Sequence, residues 1–243
     1  MRAPLLLLLC LVTSVVFAQT HRAKIVTNYG TIIVELYDGT PLHRDNFVKL
    51  ANEHFFDSLL FHRVIKNFVV QAGDPVSKNA NDTAQLGDGD LGYPVPAEIF
   101  PEKYFHKRGA LGMARDDNPA KASSACQFYI VTGRIANDSI FNKAKERTGG
   151  YEIGEEHKKV YRTIGGIPHL DSRYTVFGEV LKGMEVADKI SAVISDKNDR
   201  PIKEVRIKTV RIEKEKKVHY SKKKLNYGRM KNMRPDKKHK PIY

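Results

Sequence analysis

The sequence predicts a mainly-β fold, a closed eight-stranded antiparallel barrel capped by two α-helices. Three observations lead there. Short runs rich in Val, Ile, Phe and Tyr recur along residues 23–212, and each is bounded by Gly, Pro, Asn or Asp. Their spacing is near-regular, which is how a sheet closed on itself reads in sequence. Outside one long charged stretch, only two segments carry a helical repeat of apolar positions.

Taken in order, residues 23–27 and 31–36 read as paired strands around Asn28-Tyr29-Gly30, a hairpin signal. Thr40 then offers an N-cap and Pro41 a first helical residue. Phe47, Leu50, Ala51 and His54 recur at helical spacing, so a helix with one apolar face is expected over residues 41–53. The next stretch, residues 61–74, reads as two short strands broken at Lys66-Asn67. Phe61, Arg63 and Ile65 should point to one face, His62 and Val64 to the other. The apolar run 68–70 follows, and Gly73-Asp74 ends it.

Between Asp74 and Phe100 the chain is polar and turn-rich. It contains Gly87-Asp88-Gly89-Asp90-Leu91-Gly92, formally a GxGxxG. A dinucleotide site is excluded here. No strand precedes the glycines, Tyr93-Pro94 stops any following helix, and two aspartates would repel a pyrophosphate. Residues 109–114 and 127–131 read as further strands joined by a small, polar segment. Residues 134–167 are rich in Glu, Lys and Arg around Gly149-Gly150, a solvated helical excursion. A strand at 174–180, a helix at 183–192 with Val186, Ile190 and Val193 inward, and a last strand at 205–212 complete the set.

The ends have a different character. Arg2, the apolar run 5–17 and the small Ala18 before Gln19 have the three-part layout of a secretory leader over residues 1–18. The run is short for a membrane span. The domain is then 19–212, and 213–243 is a basic tail, expected to be disordered. Of the formal charge of +13, the segment from Lys214 to Tyr243 carries +10. Lys222-Lys223-Lys224 with Tyr220 and Tyr227 nearby read either as a solvated tail or as a polyanion-binding element. Beyond the leader only Cys126 remains, so no intramolecular disulfide can form. It reads as a small buried residue, with no neighbouring base to make it a nucleophile.

Within residues 61–74 a cation, a large ring and a neutral amide (Arg63, Phe68 and Gln71) sit among residues that should be buried. Charged groups are seldom put beside a core unless paired or used. One reading is an edge-strand arginine with a surface carboxylate partner; the other is a functional cation. The string Phe61-His62-Arg63-Val64-Ile65, then Phe68, Gln71, Gly73 and Asp74, resembles the signature of the cyclophilins, the peptidyl-prolyl cis-trans isomerases of the cyclosporin-binding class. Gly109, Met113, Ala114, Ser124, Gln127 and Phe128 resemble two more family blocks, and residues 174–180 after His169-Leu170-Asp171 a third. Pro41, Asn46 and Phe47 match a helix that plugs one end of the barrel in that family. The resemblance covers residues 24–212, with 134–167 as an insertion and the tail as a second departure.

The resemblance implies prolyl isomerisation of proline-containing polypeptides, with no cofactor and no metal. Arg63, Phe68 and Gln71 would be catalytic, Arg63 as the cation that bonds the proline nitrogen and Gln71 orienting it. Val69, Tyr129 and Leu170 would line the proline pocket with Phe68. Ala114, Arg115 and Gln127 would lie along the groove, with His169 and Tyr174 among the substrate contacts. Without the family, Phe68 and Leu170 are equally plain core residues, and Gln71 and Gln127 buried amides bonded to backbone. Tyr129 stands where phenylalanine is usual, Val69 where methionine is common, and His169 where cyclosporin-sensitive members carry tryptophan, so cyclosporin binding is expected to be weak. An exported, monomeric folding enzyme is one expectation; a binding module of the same fold, its tail recruiting a polyanionic partner, is the other. Tyr174 and the insertion resemble bacterial members, hence a periplasmic location. In eukaryotic secretion or the endoplasmic reticulum, Asn81-Asp82-Thr83 and Asn137-Asp138-Ser139 would be glycosylation acceptors.

Overall fold

The structure, a computed structural model, describes residues 21–213. The expected leader at 1–18 and the expected tail beyond Glu213 lie outside the described residues. Strands β1 (His21–Thr27) and β2 (Gly30–Leu36) form the expected hairpin, from His21 opposite Leu36 to Thr27 opposite Gly30. The remaining strands are β3 (Arg63–Val64), β4 (Val69–Ala72), β5 (Ala110–Met113), β6 (Phe128–Val131), β7 (Val176–Lys182) and β8 (Ile207–Glu213). All pair antiparallel in one sheet of order β3-β4-β6-β5-β7-β2-β1-β8.

This ladder is a half-barrel, not the closed barrel expected. Its end strands β3 and β8 do not pair with each other. Residues 59–61, just ahead of β3, instead meet residues 205–207 in an isolated bridge: the Phe61 amide donates to Val205 and the Ile207 amide to Leu59, both at 2.8 Å. β3 is too short to continue the pairing because the 196–200 loop takes its free edge, where the Val64 amide donates to Asp199 O at 2.8 Å. The same irregularity breaks the expected alternation. Phe61 and Val64 both enter the core, while Arg63 stays half-buried. The break at Lys66-Asn67 is a tight turn with Asn67 at φ 59°, a left-handed conformation that asparagine tolerates.

The described residues hold four α-helices where two were expected as caps. The capping helices are α1 (Pro41–Asn52) and α4 (Met184–Ser191); α2 (Asp138–Arg147) and α3 (Glu155–Thr163) are the excursion. Gly149 and Gly150 join α2 to α3 with φ of 75° and 100°, which side chains rarely allow. The start of α1 also differs from expectation. The Thr40 side chain makes no cap bond. Glu98 caps the helix from a distant loop, accepting from the amides of Leu42 and His43 at 3.0 Å each. His43, not His54, takes the inward position; His54 lies past the helix end and is exposed. His43 Nδ1 bonds Glu98 at 2.7 Å and Nε2 meets the Ser123 hydroxyl at 2.9 Å, and burial lowers the imidazole pKa.

Phe47 of α1 fills the concave side of the sheet, 4.8 Å from the Phe56 ring and 5.5 Å from Phe128. Val69, Val131, Tyr129, Ile167 and Val176 form a separate apolar cluster on the other face. The excursion packs its own small core around Phe141, Ala144, Ile153 and Tyr161.

Glu98→Ala removes both cap acceptors and strands a buried His43 nitrogen. A loss of about 2–4 kcal/mol in unfolding free energy is expected, from the cap and the unpaired donor together. Urea denaturation reads it, and a shift below about 0.5 kcal/mol, the range of ordinary surface substitutions, would show that the cap contributes nothing.

Candidate active site

Four neighbouring strands set one row of residues across the sheet. Arg63 of β3 lies opposite Gln71 of β4, Gln71 opposite Tyr129 of β6, and Tyr129 opposite Gly112 of β5. Gly112 has to be small: a Cβ there would come within 2.4 Å of the Tyr129 ring. Arg63, Gln71 and Tyr129 of this row line a cleft of about 720 Å³. Nine of the residues singled out in the sequence line it: Arg63, Phe68, Val69, Gln71, Ala114, Arg115, Tyr129, Leu170 and Tyr174. Gln127 and His169 do not. Gln127 lines an adjoining cleft of about 640 Å³ that shares Gln71, Ala114 and Arg115, and His169 lines a third cavity beside Phe68.

A polar chain runs along one side. An Arg63 guanidinium nitrogen faces Gln71 Oε1 at 3.4 Å, and Gln71 Nε2 donates to Gln127 Oε1 at 3.0 Å. Gln127 Nε2 donates to the carbonyls of Gly87 and Gly89, both at 2.8 Å. Gln127 is therefore an amide bonded to backbone as well as a part of the groove. The glycine-rich loop is its acceptor. Buried Asp74 holds that loop from behind, accepting from the Gly87 and Val76 amides. His62 also lines the cleft, and neither ring nitrogen has a hydrogen-bond partner among the described residues. Burial pulls its pKa down to about 4, so the ring is neutral at pH 7.

The other side is apolar. Tyr129 is buried and its hydroxyl points away from the cleft, 2.9 Å from His106 Nε2; His106 Nδ1 is 2.9 Å from Asp171. With Nδ1–H donating to the carboxylate, Nε2 accepts the phenol proton, so the cleft meets only the ring. Burial keeps this phenol far above its usual pKa. The Arg115 guanidinium lies over the Tyr174 ring at 4.8 Å and donates to Arg173 O at 3.0 Å. His169 stacks on Phe68 with centroids 5.7 Å apart. Burial, then the Arg147 charge, lowers its pKa to about 4, leaving a neutral ring at neutral pH.

Some cleft residues carried no signal in the sequence. Asp199 lies 3.6 Å from Arg63 Nε, both side chains being about half exposed. Arg200 donates to the carbonyls of Asn81, Asp82 and Ala84, tying the two loops at the rim together. Both residues sit in a polar turn far along the chain, and only the fold brings them here. Among the described residues no three His, Cys, Asp or Glu side chains converge as a metal site would require. Cys126 is buried and its thiol is pushed up to about 12 by burial, an inert thiol.

The sequence profile of the family described as "Cyclophilin type peptidyl-prolyl cis-trans isomerase/CLD" matches residues 22–212. The chain is 32% identical over 190 residues to peptidyl-prolyl cis-trans isomerase-like 1 of Neurospora crassa, covering 78% of this chain and 92% of that protein. It is 32% identical over 191 residues to peptidyl-prolyl cis-trans isomerase-like 2 of Rhizopus delemar, of whose length it spans only 28% against 78% of its own. The fold is similar to the crystal structure of a Cryptosporidium parvum cyclophilin type isomerase in the presence of the dipeptide Ala-Pro, with TM-score 0.57 and 26% identity over 81% of this chain and all of that one. A half-barrel carrying this cleft, matched over nearly all its described length, belongs to the cyclophilin-type peptidyl-prolyl cis-trans isomerases.

Proposed function

We propose that this chain accelerates rotation about X-Pro bonds in exported polypeptides and so assists their folding, acting as a monomer with Arg63 as its key cation. Amide resonance sets a rotation barrier of roughly 18–20 kcal/mol. No bond is made or broken, so no nucleophile or metal is required. What is needed is a site that binds the twisted amide better than either planar form. Twisting frees the lone pair of the proline nitrogen, and a guanidinium at that point hydrogen-bonds it only then. Arginine suits this because it stays charged beside apolar surface and its planar fork is orientable. Phe68, Val69, Tyr129 and Leu170 would take the proline ring and exclude water, while Gln71 and Gln127 would steady the substrate backbone. Preferential stabilisation of about 7 kcal/mol corresponds to roughly 10⁵-fold.

The observation that carries this reading is the row Arg63, Gln71, Tyr129: one orientable cation, one amide and one ring face along a single cleft. A second reading has its own support. The +10 charge of the tail favours a module that binds nucleic acid, anionic lipid headgroups or acidic glycans, with catalysis secondary.

Arg63→Ala is expected to lower kcat/KM for an Ala-Pro peptide by about 10²–10³-fold, the loss seen when one preorganised transition-state donor goes. Arg63→Lys should recover only part of that. A protease-coupled assay and proline-limited refolding read both; an unchanged rate in Arg63→Ala would abolish the mechanism. Cyclosporin should inhibit weakly, since the ring of His169 stacks on Phe68 and faces the third cavity; a low-nanomolar inhibition constant would contradict this. The mature protein should begin at Gln19 by mass spectrometry, and its heparin affinity should fall steeply with salt and vanish on truncation after Glu213. A leader still attached, or salt-independent binding, would remove the corresponding half of the proposal.

A further inference from the structure

A cavity of about 370 Å³ shares Phe68 with the proline cleft and has a different character. Four cationic residues from three parts of the fold line it. Lys66 comes from the turn between β3 and β4, Arg134 from the stem of the excursion, and Lys143 and Arg147 from α2, where a spacing of four sets them on one face. No Asp or Glu lines the cavity. Among the described residues none of the four appears in an ion pair. Elsewhere on the same excursion three bases are paired, Lys145 with Glu152, Lys158 with Glu155, and Arg162 with Asp138, while Lys159 is not. Acidic side chains are therefore available to this segment, and none of them lines the cavity.

Like charges gathered at one concavity repel each other unless an anion enters, and a concave site concentrates their field. Burial and then the Arg147 charge lower the pKa of His169 in the cavity wall, which places that one cation close to the ring. Phe68 and His169, with ring centroids 5.7 Å apart, stand at the boundary between this cavity and the cleft. An extended peptide advances about 3.3 Å per residue, so a side chain roughly two to four residues from a proline held against Phe68 reaches the cations.

We propose that this cavity is an anion subsite for the client polypeptide, taking a carboxylate or phosphate group carried a few residues from the isomerised proline. The inference rests on the isomerase reading for what the neighbouring cleft holds. It gives the excursion a task, the selection of acidic or phosphorylated X-Pro segments.

The test uses the full chain and labelled peptides with one Ala-Pro centre. Glutamate, phosphoserine or glutamine is placed two to four residues to either side, and both equilibrium binding and turnover are read. The acidic peptides should bind about 5- to 20-fold tighter than the glutamine peptides at low ionic strength, declining as salt rises. In Lys143→Gln/Arg147→Gln the advantage should fall below about twofold, with turnover of the neutral peptide reporting an intact fold. Lys66→Gln/Arg134→Gln, from other elements, should give the same loss. The basic tail is common to all three proteins, so the difference between them reports the cavity. Equal binding of acidic and neutral peptides overturns the subsite, as does an acidic preference that both double variants retain. A preference lost in the variants without turnover of any peptide upholds the anion site and removes the isomerase reading instead.

Discussion

One primary amide fixes the geometry of the cleft. Gln127 is buried, and both protons of its nitrogen go to the carbonyls of Gly87 and Gly89. Carbonyl oxygens only accept, so the amide has one permitted orientation. Its oxygen must then face Gln71, which can answer only with its own nitrogen, at 3.0 Å. That leaves the Gln71 oxygen toward Arg63. The direction of each group follows from the one before, starting at two backbone carbonyls in a loop with no regular structure. Asp74, fully buried, secures that loop to the end of β4.

The guanidinium at the end of this chain is held loosely. Its contacts with Gln71 and Asp199, at 3.4 and 3.6 Å, are long, and the Asp199 pair is about half exposed on both sides. Such an exposed pair contributes roughly 0–1 kcal/mol. Of the two readings of Arg63 in the sequence, the structure shows the paired surface cation, and its functional role is proposed. A partner this weak leaves the group free to exchange it for another acceptor at little cost.

What the sequence made legible was local. Alternation located β1 and β2, a repeat of three and four located α1 and α4, and residues on adjacent strands fell into the cleft because strand pairing keeps them in register. What it hid depended on partners far along the chain. Thr40 looks like a cap, but Glu98 satisfies the helix, because a carboxylate reaching two amides outcompetes a hydroxyl that bonds Tyr37 O at 3.3 Å instead. The opening between β3 and β8 comes from a loop over a hundred residues away. His169 illustrates a third kind of failure. It neighbours Leu170 in sequence, yet both lie in a 3₁₀ turn (Pro168–Leu170), where successive side chains diverge by a third of a turn. Leu170 therefore enters the cleft and His169 the basic cavity.

The excursion at 134–167 is tied to the back of the site. Its stem closes where the Gly166 amide donates to Arg134 O at 3.0 Å and the Ile167 amide to His106 O at 2.8 Å. From α3, the Tyr161 hydroxyl donates to Asp171 Oδ2 at 2.7 Å, while the other carboxylate oxygen takes the His106 amide and Nδ1 at 2.9 Å. Asp171 and His106 are almost completely buried. An acceptor buried at that depth is costly to leave unmatched, and Tyr161 supplies the match. His106 in turn receives the Tyr129 hydroxyl, without which a tyrosine in this wall would turn a polar group toward the cleft. The Tyr129 phenol and the α2–α3 pair thus meet in one buried network. The excursion completes the wall from behind and, with Lys143 and Arg147, charges the surface beside it.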